Sequence, residues 1–407
     1  MISTSIGARS TASLLTRCSG AAWTSSLVCQ PNTTLSLRSF ASSSKLGLNA
    51  SSASSLDQGG HPPPSPPPPP QQQQQDTRQR SSSVHASEIE HFSRLSSKWW
   101  DEHGEFGLLH AMNPVRIQFV REKLEEVWGY ELAQQQVAAR SSSSSSSSSV
   151  SPIYAANVAK QPYENLGRTQ FLSGLDVADI GCGGGLFSES LARLGARTTG
   201  VDASSSNIGI ATTHALRDAV LCRPHVLGGQ SLTYLHTTAE ELVAQGQTFD
   251  VVCAMEVVEH VNGPGEFLRS LDQLVKPGGH LFMSTIARTS LSWFLTIFMA
   301  ENVLRLVTPG THTHHQYINP KELVEFFQID RNWYGKNHGN STNLPQRMQF
   351  ETRGTAYLPW KSSWTLAKTD TNLPATQECN YFFWARKPLT NPTQLNTKAG
   401  ETSNIIR

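Results

Sequence analysis

The stretch Val177 to Gly185, VADIGCGGG, carries residue types suited to binding a ligand. Glycines can adopt positive φ angles and let the backbone approach a ligand closely. The apolar spacing after them predicts a helix, and the start of a helix offers unpaired backbone N–H groups. A second predicted strand ends at Asp202, where a carboxylate can accept hydrogen bonds from two ribose hydroxyls. These residues predict a nucleotide-type ligand on a strand–loop–helix unit.

The glycine spacing separates one class of nucleotide from another. The dinucleotide fingerprint G-x-G-x-x-G fails in both registers, because its third glycine would fall at Leu186 or Ser188. An acid before the loop suits a ligand with an ammonium group and a sulfonium rather than a pyrophosphate. The pattern D-x-G-x-G-G-G resembles motif I of the class I S-adenosylmethionine (SAM) methyltransferases. That resemblance implies SAM as the cofactor, with these residues against it: Asp179, Gly181, Gly183 and Asp202.

Three side chains of metal-ligand type follow a later apolar run. Glu256, Glu259 and His260 stand at i, i+3 and i+4, so they share one face if the segment is α-helical. Two carboxylates and an imidazole can hold a divalent cation such as Mg²⁺, Mn²⁺ or Zn²⁺. The segment leaves the carboxyl end of a predicted strand, Phe249 to Ala254, where open α/β sheets place ligands. The alternative is a surface helix whose charges are solvated.

Two predicted helices precede the glycine loop and would help to position it. Ser87 followed by Glu90 is a capping-box signature, and helical spacing predicts a helix to about Trp100. Asn113-Pro114 then predicts the start of a second helix, with apolar residues along one face.

Short motifs in these helices point to a family. Residues 96–116 contain S-x-x-W-W-D, G-E-F, L-H and N-P-x-R, and D-I-G-C-G-G-G follows. Together they resemble the ubiquinone-biosynthesis O-methyltransferases, which methylate catechol hydroxyls of polyprenylated precursors. The resemblance implies SAM-dependent O-methylation at the polyprenyl-dihydroxybenzoate and demethylubiquinol steps. It also implies roles for single residues: Arg116 and Met255 against SAM, and Glu256, Glu259 and His260 around a divalent metal, expected to be Mg²⁺.

A histidine near the predicted acceptor side could act on the substrate. Gly310-Thr311-His312 matches the G-T-H of the resembled family. An imidazole beside the acceptor could take the hydroxyl proton, which makes His312 the candidate catalytic residue. It could equally position the acceptor ring.

The fold that the resemblance implies is the Rossmann-like α/β fold of class I SAM methyltransferases. We expect a mostly parallel seven-stranded sheet with helices on both faces, formed by residues 86–388. The turn Lys276 to Gly279 before a predicted strand supports this class without indicating a substrate. Residues 389–407 are expected to form a polar tail.

The first 85 residues do not have the composition of a folded domain. This segment is serine-rich and basic, with no acid before Asp57, which is typical of a mitochondrial transit peptide. The alternative is an untargeted, disordered terminus. Proline and glutamine runs between His61 and Gln75 predict an extended, solvated linker. Residues 139–167, which include nine consecutive serines, are expected to form a disordered insertion.

Ser290 to Val307 is the most apolar stretch outside the predicted sheet. Glu301, Asn302 and Arg305 interrupt it, and a bilayer-spanning helix needs about 20 apolar residues. It is expected to form either a buried helix on the sheet or a membrane-surface lid that admits a polyprenyl tail. With the resemblance, the second interpretation implies a peripheral enzyme on the matrix side of the mitochondrial inner membrane. The implied partners are a polyprenylated catechol and other ubiquinone-biosynthesis proteins in a membrane-associated complex.

Composition narrows the remaining function classes. The formal net charge is +1, so no bulk electrostatic attraction predicts nucleic-acid binding. Six scattered cysteines without C-x-x-C spacing predict no disulfide scaffold and fit a reducing compartment. A SAM-dependent methyltransferase for another small phenol or amine stays open, as does a non-catalytic subunit of the quinone-biosynthesis complex. An NAD-dependent oxidoreductase is disfavoured by the failed fingerprint.

Overall fold

The computed structural model describes residues 83, 85–141, 158–221, 224–225, 229–304, 308, 310–333, 344–368 and 374–389. The predicted transit peptide and Pro/Gln linker, most of the serine run and nearly all of the polar tail lie outside these ranges, so they stay predictions. Ser83 is described and buried, and its Oγ donates to Glu240 Oε1 at 2.5 Å. A described contact of the folded domain therefore already lies before the predicted boundary at residue 86.

Eight of the described strands form one sheet. The strands are β1 Asp176–Ile180, β2 Arg197–Asp202, β3 Pro224–His225, β4 Gly229–Gln230, β5 Leu232–His236, β6 Phe249–Met255, β7 Val275–Ile286, β8 Phe350–Leu358, β9 Ser363–Leu366 and β10 Asn380–Arg386. The sheet order is β5-β2-β1-β6-β7-β10-β8-β9, and β3 pairs with β4 separately. The first five strands in that order are parallel, whereas β10, β8 and β9 pair antiparallel.

Helices connect the parallel strands and flank the sheet. They are α1 Ala86–Leu95, α2 Gly107–Ser141, α3 Leu186–Arg193, α4 Ser205–Ala215, α5 Ala239–Ala244, α6 Pro264–Leu274, α7 Ser290–Ser292 with its π-helical continuation Trp293–Val303, and α8 Pro320–Glu325 with its π-helical continuation Phe326–Asp330. Short 3₁₀ turns lie at Ser96–Lys98, Tyr163–Asn165, Val258–His260, His314–Gln316, Gln346–Met348, Pro359–Lys361 and Pro374–Gln377.

The α/β class and the mostly parallel sheet are confirmed, but the predicted count of seven strands is wrong. The additional strand is β9, which pairs antiparallel with β8 at the edge of the sheet. A short 3₁₀ turn and Ser362, at φ 47°, reverse the chain between the two strands. Such a turn is set by local backbone geometry, and the half-buried β9 has no apolar run that would mark it as a strand.

Hydrophobic clusters cover both faces of the sheet. Val177 of β1 belongs to one cluster with Phe119 and Trp128 of α2, whereas the next residue, Ala178, belongs to another with Leu268 of α6. Because successive strand residues face opposite sides, helices lie on both faces, as predicted. Complete burial of a large apolar side chain contributes about 1.5–3 kcal/mol, so Phe119 and Trp128 hold α2 firmly against the sheet.

The two amino-terminal helices start at other residues than predicted. The cap of α1 is His85, whose side chain accepts from the Ser87 N–H, so the predicted Ser87 capping box is wrong. Helix α2 begins at Gly107 and contains Pro114. The start predicted at Asn113-Pro114 is thus about two turns late. Met112 is buried in the same cluster as the rest of α2, and this packing outweighs the hydrogen bond that a proline removes.

The predicted insertion at residues 139–167 is narrower than expected. Residues 139–141 continue α2, and residues 158–167 make specific contacts. Ala159 N–H donates to Pro277 O at 2.9 Å, and Lys160 N–H donates to Asp250 Oδ1 at 3.0 Å. These backbone bonds tie the segment to the sheet, so a disordered assignment there is wrong. Residues 142–157 lie outside the described part of the chain.

The strand order brings three predicted site segments to one edge of the sheet. In the register of β1, Asp179 is paired with Gly200 of β2 on one side and with Cys253 of β6 on the other. The loops that follow these three strands therefore lie side by side at their carboxyl ends. The chain also changes direction across the sheet between β1 and β6, which is where open α/β folds bind ligands.

Candidate active site

A cavity of about 630 Å³ opens at the carboxyl ends of the parallel strands. Its walls come from the loops after β1, β2, β5 and β6, from α1 and α7, and from β8. The volume falls within the roughly 300–1,000 Å³ typical of small-molecule sites. All ten residues predicted from the sequence line it: Arg116, Asp179, Gly181, Gly183, Asp202, Met255, Glu256, Glu259, His260 and His312.

The glycine loop is shaped by positive backbone angles and a covering indole. Gly181, Gly183 and Gly185 have φ angles of 73°, 54° and 88°, in the left-handed region that favours glycine. The Trp99 ring lies directly on the loop, because a Cβ at Gly183 would be 2.4 Å from its ring carbons. Trp99 is buried, and its Nε1 donates to Asn207 Oδ1 at 3.1 Å. The loop therefore needs glycine both for conformation and for space.

Asp202 fastens the loop from the end of β2. Its Oδ2 accepts from the Gly183 N–H at 2.9 Å, and its Oδ1 accepts from the Ser204 N–H at 2.8 Å and from Asn207 Nδ2 at 3.2 Å. A carboxylate has about four acceptor positions, so capacity is left toward the cavity. Burial raises the pKa of Asp202 although these hydrogen bonds oppose the shift. The loop is thus preorganised around an acid that can still accept from a ligand.

Asp179 is a buried acid with one close partner. It is 2% exposed, and Ser188 Oγ donates to its Oδ2 at 2.5 Å. Burial raises the pKa of Asp179 to about 6; the nearby Asp202 adds to the shift, whereas Ser188 and Arg116 oppose it. Ser188, which breaks the dinucleotide fingerprint, therefore supports the acid at the base of the loop.

Arg116 reaches the cavity from α2 with unused donors. Its side chain is buried, and neither Nε nor Nη2 has a hydrogen-bond partner among the described residues. Burial lowers the pKa of Arg116, and the charges of Glu256, Asp179 and Glu259 oppose that shift. Buried polar groups are normally paired, so these free donors indicate a place for an anionic ligand group such as a carboxylate.

The end of β6 carries a strained acid. Met255 is buried and lines the cavity. Glu256, the next residue, has a φ of 57°, and its N–H donates to Ser284 O at 3.0 Å and Ser284 Oγ at 3.1 Å. Its Oε1 is buried and has no partner within the described ranges. A positive φ costs a residue with a Cβ about 1–2 kcal/mol, so this strained backbone holds an acid with spare acceptor capacity at the cavity.

The predicted α-helical face for Glu256, Glu259 and His260 is wrong. Val258–His260 is a 3₁₀ turn, and Glu256 precedes it with non-helical backbone angles. Glu259 Oε2 accepts from Thr285 Oγ1 at 2.9 Å, and His260 Nδ1 lies 3.2 Å from Glu88 Oε2. Where the chain is described, no group of three His, Cys, Asp or Glu side chains is arranged to hold a metal ion.

Glu259 and His260 are nonetheless perturbed by their surroundings. Burial raises the pKa of Glu259 to about 7, and the charge of Glu256 adds to the shift. Burial lowers the pKa of His260, but the hydrogen bond to Glu88 and the surrounding carboxylates outweigh it, so the pKa of His260 is raised overall. These contacts attach α1 to the wall of the cavity.

His312 lines the cavity from the segment after α7. Its Nδ1 lies 2.8 Å from Glu301 Oε1. The sequence analysis missed this carboxylate, together with Ser188 and the placement of Trp99 over the loop. The available signal for Glu301 was an acid inside an otherwise apolar stretch.

Carboxylates outnumber cations on the described wall of the cavity. Arg116 is the one Lys or Arg there, and the carboxylates are those of Glu88, Glu105, Asp179, Asp202, Glu240, Glu256 and Glu259. Such a surplus favours a ligand with positive charge. A ligand that carries a sulfonium, an ammonium and one carboxylate matches this wall, whereas a pyrophosphate would be repelled by it.

The cavity also has apolar lining, to which α7 contributes. Phe294, Leu295, Met299, Leu304 and Trp364 line it. In the π-helical part of α7 the buried residues are the polar Thr296 and Glu301, so of the two alternatives for this stretch the buried helix on the sheet is wrong. Seven apolar side chains of this helix and its end are 41–53% exposed: Leu291, Trp293, Phe294, Leu295, Phe298, Val303 and Leu304. Across the described ranges, no helix combines the length and apolarity that crossing a membrane requires.

Comparison with known proteins identifies similar sequences. A family model described as a methyltransferase domain matches residues 154–329. The chain is 38% identical over 313 residues to the mitochondrial ubiquinone biosynthesis O-methyltransferase of Schizosaccharomyces pombe, covering 77% of this chain and 90% of the relative. It is 37% identical over 298 residues to the ubiquinone biosynthesis O-methyltransferase of Caulobacter vibrioides, covering 73% and 95%.

Among solved structures, the chain is similar to the magnesium protoporphyrin IX methyltransferase of Synechocystis with bound S-adenosylhomocysteine (SAH), with 21% identity, a TM-score of 0.32 and coverage of 53% of this chain and 75% of that one.

Proposed function

Because this chain belongs to the family of ubiquinone biosynthesis O-methyltransferases, we propose that it methylates a catechol hydroxyl on a ring that carries a polyprenyl tail. The chain is a SAM-dependent O-methyltransferase of ubiquinone biosynthesis, and its location is mitochondrial. We further propose that the acceptor is a catechol with a polyprenyl tail, that named residues of the cavity act on it, and that the enzyme contacts the membrane.

The main support for the proposal is that the cavity at the glycine loop continues onto apolar side chains of α7. The cavity that touches the glycine loop also reaches apolar side chains of α7, including Phe294 and Leu295, which are themselves partly exposed to solvent. A polar donor site and an apolar surface are thus continuous. An acceptor with a polar ring and a long hydrocarbon tail can place its ring inside and extend its tail along α7.

The residues around the loop fit the donor. When bound, SAM supplies a methyl carbon activated by a positively charged sulfur. Asp202 has acceptor capacity for ribose hydroxyls, and Arg116 has free donors for the methionine carboxylate. Asp179 and Glu256 add negative charge where the sulfonium and ammonium groups need it. Fixing both reactants in one cavity supplies much of the rate acceleration through positioning.

The acceptor hydroxyl needs help to become a nucleophile. A phenol with a pKa of about 10 is largely neutral near pH 7. His312 lines the cavity and can take the proton, a base role that contributes typically 10²–10⁴-fold. The cation implied by the resemblance does not fit the described arrangement of Glu256, Glu259 and His260, so no step is assigned to it.

Helix α7 supports a peripheral contact with the inner mitochondrial membrane. Its exposed aromatic and aliphatic side chains, such as Trp293 and Phe298, suit the boundary between headgroups and hydrocarbon. A tail delivered from the bilayer would then enter beside Phe294 and Leu295. Assembly with other proteins of the pathway stays a prediction from the resemblance.

An acceptor panel tests the proposal. The full chain is incubated with SAM and one acceptor at a time, and SAH release is measured. The acceptors are a farnesylated dihydroxybenzoate, the same ring without its tail, a monophenol and an aromatic amine. We expect the highest kcat/KM for the farnesylated catechol, at least tenfold above the tailless ring, because the tail buries apolar surface along α7. Equal or faster turnover of the amine or the monophenol would overturn the catechol assignment.

A further inference from the structure

A buried carboxylate in α7 directs all of its described hydrogen bonds at the loop that carries His312. Glu301 is 2% exposed. Its Oε2 accepts from the Gly310 N–H at 2.7 Å, and its Oε1 accepts from the His312 N–H at 2.8 Å and lies 2.8 Å from His312 Nδ1. A carboxylate buried without partners is strongly unfavourable, so these contacts compensate for its place in an apolar helix.

The charge state of Glu301 fixes the tautomer of the ring beside it. Burial raises the pKa of Glu301, but the hydrogen bonds from His312 and Gly310 outweigh burial, so the pKa is lowered overall and the group is ionised near neutral pH. An ionised carboxylate only accepts hydrogen bonds. His312 Nδ1 must therefore carry the proton, and the lone pair of the neutral ring lies on Nε2.

The ring of His312 is held from two sides. Glu301 binds Nδ1, and the Tyr317 ring meets the imidazole edge-on, with centroids 6.3 Å apart. Tyr317 is buried and fixed in turn, since its hydroxyl lies 2.7 Å from Thr296 Oγ1. His312 Nε2 forms no hydrogen bond with any residue that the structure describes, and the side chain lines the cavity.

Two titratable groups among the described residues contact His312, namely Glu301 and Tyr317. Glu105, another carboxylate that lines the cavity, accepts from the Thr308 N–H at 3.0 Å.

We propose that Glu301 is a positioning residue for methyl transfer, which holds His312 with Nδ1–H toward its carboxylate and Nε2 toward the acceptor hydroxyl. This inference rests on the proposed function, because it requires a hydroxyl acceptor. In the step, the O–H bond breaks and its proton moves to Nε2. The oxygen electron pair forms the O–CH₃ bond, and the electrons of the broken carbon–sulfur bond stay on sulfur. The imidazolium that results is stabilised by the Glu301 carboxylate.

The first test replaces the charge of Glu301 while keeping its shape. In Glu301→Gln we expect kcat to fall roughly 10–100-fold, with KM for SAM unchanged, because a supported base is lost but the donor site is not. Glu301→Asp should restore part of kcat. Glu325→Gln, which removes an exposed carboxylate paired with Lys321, serves as the control and should match the wild type.

The second test changes the acidity of the acceptor. A nitro-substituted catechol is already largely ionised at neutral pH and does not need a base. Glu301→Gln should then turn it over within about threefold of the wild type while remaining slow with the unsubstituted ring. Equal losses with both acceptors, or wild-type kcat with both, would overturn the proposal. If the wild type methylates neither catechol, the proposed function itself fails.

A measurement on the wild type covers the case in which Glu301→Gln does not fold. Long-range ¹H–¹⁵N spectra of the full chain, with His312 assigned by comparison with His312→Gln, report which ring nitrogen carries the proton. We expect the Nδ1–H tautomer above the titration of the ring. A neutral His312 protonated on Nε2 would contradict the proposal.

Discussion

At the scale of single residues, the candidate site is built from groups that are unpaired or strained without a ligand. Arg116 has donors without partners among the described residues, Glu256 has a positive φ, and the carboxyl group of Asp179 is buried. Away from the cavity, the fully buried Lys123 is paired: it donates to Glu126 Oε2 at 2.7 Å and to a backbone carbonyl. At the cavity, a ligand can supply partners for the Arg116 and Glu256 atoms that have none among the described residues.

Asp179 gives a pH prediction for the ligand-free protein. Its pKa of about 6 in the folded state lies above the ordinary 3.8, so the folded state binds more protons than the unfolded state between these values. The contribution of Asp179 to stability should therefore fall as the pH rises from about 4 to about 6 and then level off. Asp179→Asn removes this penalty, and its amide oxygen can still accept from Ser188. We expect the variant to be more stable than the wild type above about pH 6.5, by up to about 3 kcal/mol.

Urea unfolding of both proteins between about pH 4.5 and 7.5 checks this sign. The difference in unfolding free energy should shrink toward the acid end. Asp272→Asn is the control, because this buried carboxylate accepts from Trp333 Nε1 at 2.7 Å and from Arg331 Nε at 2.8 Å and should lose stability on substitution. A constant difference across the pH range for Asp179→Asn would contradict the account.

At the scale of elements, what could be predicted depends on burial. Strands β1 and β6 are almost wholly buried and appear in the sequence as apolar runs. The glycine loop after β1 and the strand-end residues Asp202 and Met255 could therefore be placed together. Strand β9 is half-buried, and its pairing depends on a turn. The link between Glu301 and His312 crosses a segment without periodicity, so no pattern in the sequence predicts it.

The segment Glu256 to His260 shows why residue spacing alone did not predict the geometry of the candidate metal ligands. The i, i+3, i+4 argument holds only for an α-helix, and a buried 3₁₀ turn after β6 separates the three side chains. Their types and their position at the sheet edge were predictable, whereas their mutual geometry was set by contacts with Thr285 and Glu88 from distant elements.

Helix α7 gives a prediction about membrane attachment. Trp293 and Phe298 are 45% and 43% exposed and do not line the cavity, so replacing them should leave the acceptor site intact. In the double variant Trp293→Glu, Phe298→Glu we expect binding to vesicles of phosphatidylcholine and cardiolipin to weaken at least tenfold, because each buried aromatic side chain contributes about 1.5–3 kcal/mol. Turnover of a soluble catechol should stay within about twofold.

Vesicle sedimentation measures this binding. Leu216→Glu, at a residue that is 69% exposed outside α7, is the matched control and should bind like the wild type. Equal vesicle binding by the double variant and the wild type would mean that another surface makes the contact.

At the scale of the whole described structure, one cavity joins two chemical environments. The sheet places the loop, Asp202, Met255 and the acids at its carboxyl edge, and α7 adds an apolar wall. Glu88 of α1 and Trp99, which follows the next 3₁₀ turn, also line the cavity. A water-soluble, charged donor and a hydrophobic acceptor can therefore meet without either crossing the other's binding surface. The family relationship identifies the reaction, and this geometry indicates which part of the cavity binds the donor and which part binds the acceptor.

The most direct test is a structure of the full chain with SAH and a farnesylated dihydroxybenzoate bound together. The account predicts the SAH ribose on Asp202, its carboxylate on Arg116, a catechol oxygen within hydrogen-bond distance of His312 Nε2, and the tail along Phe294 and Leu295. A catechol ring bound away from His312, or a tail that leaves the cavity on a side remote from α7, would contradict it.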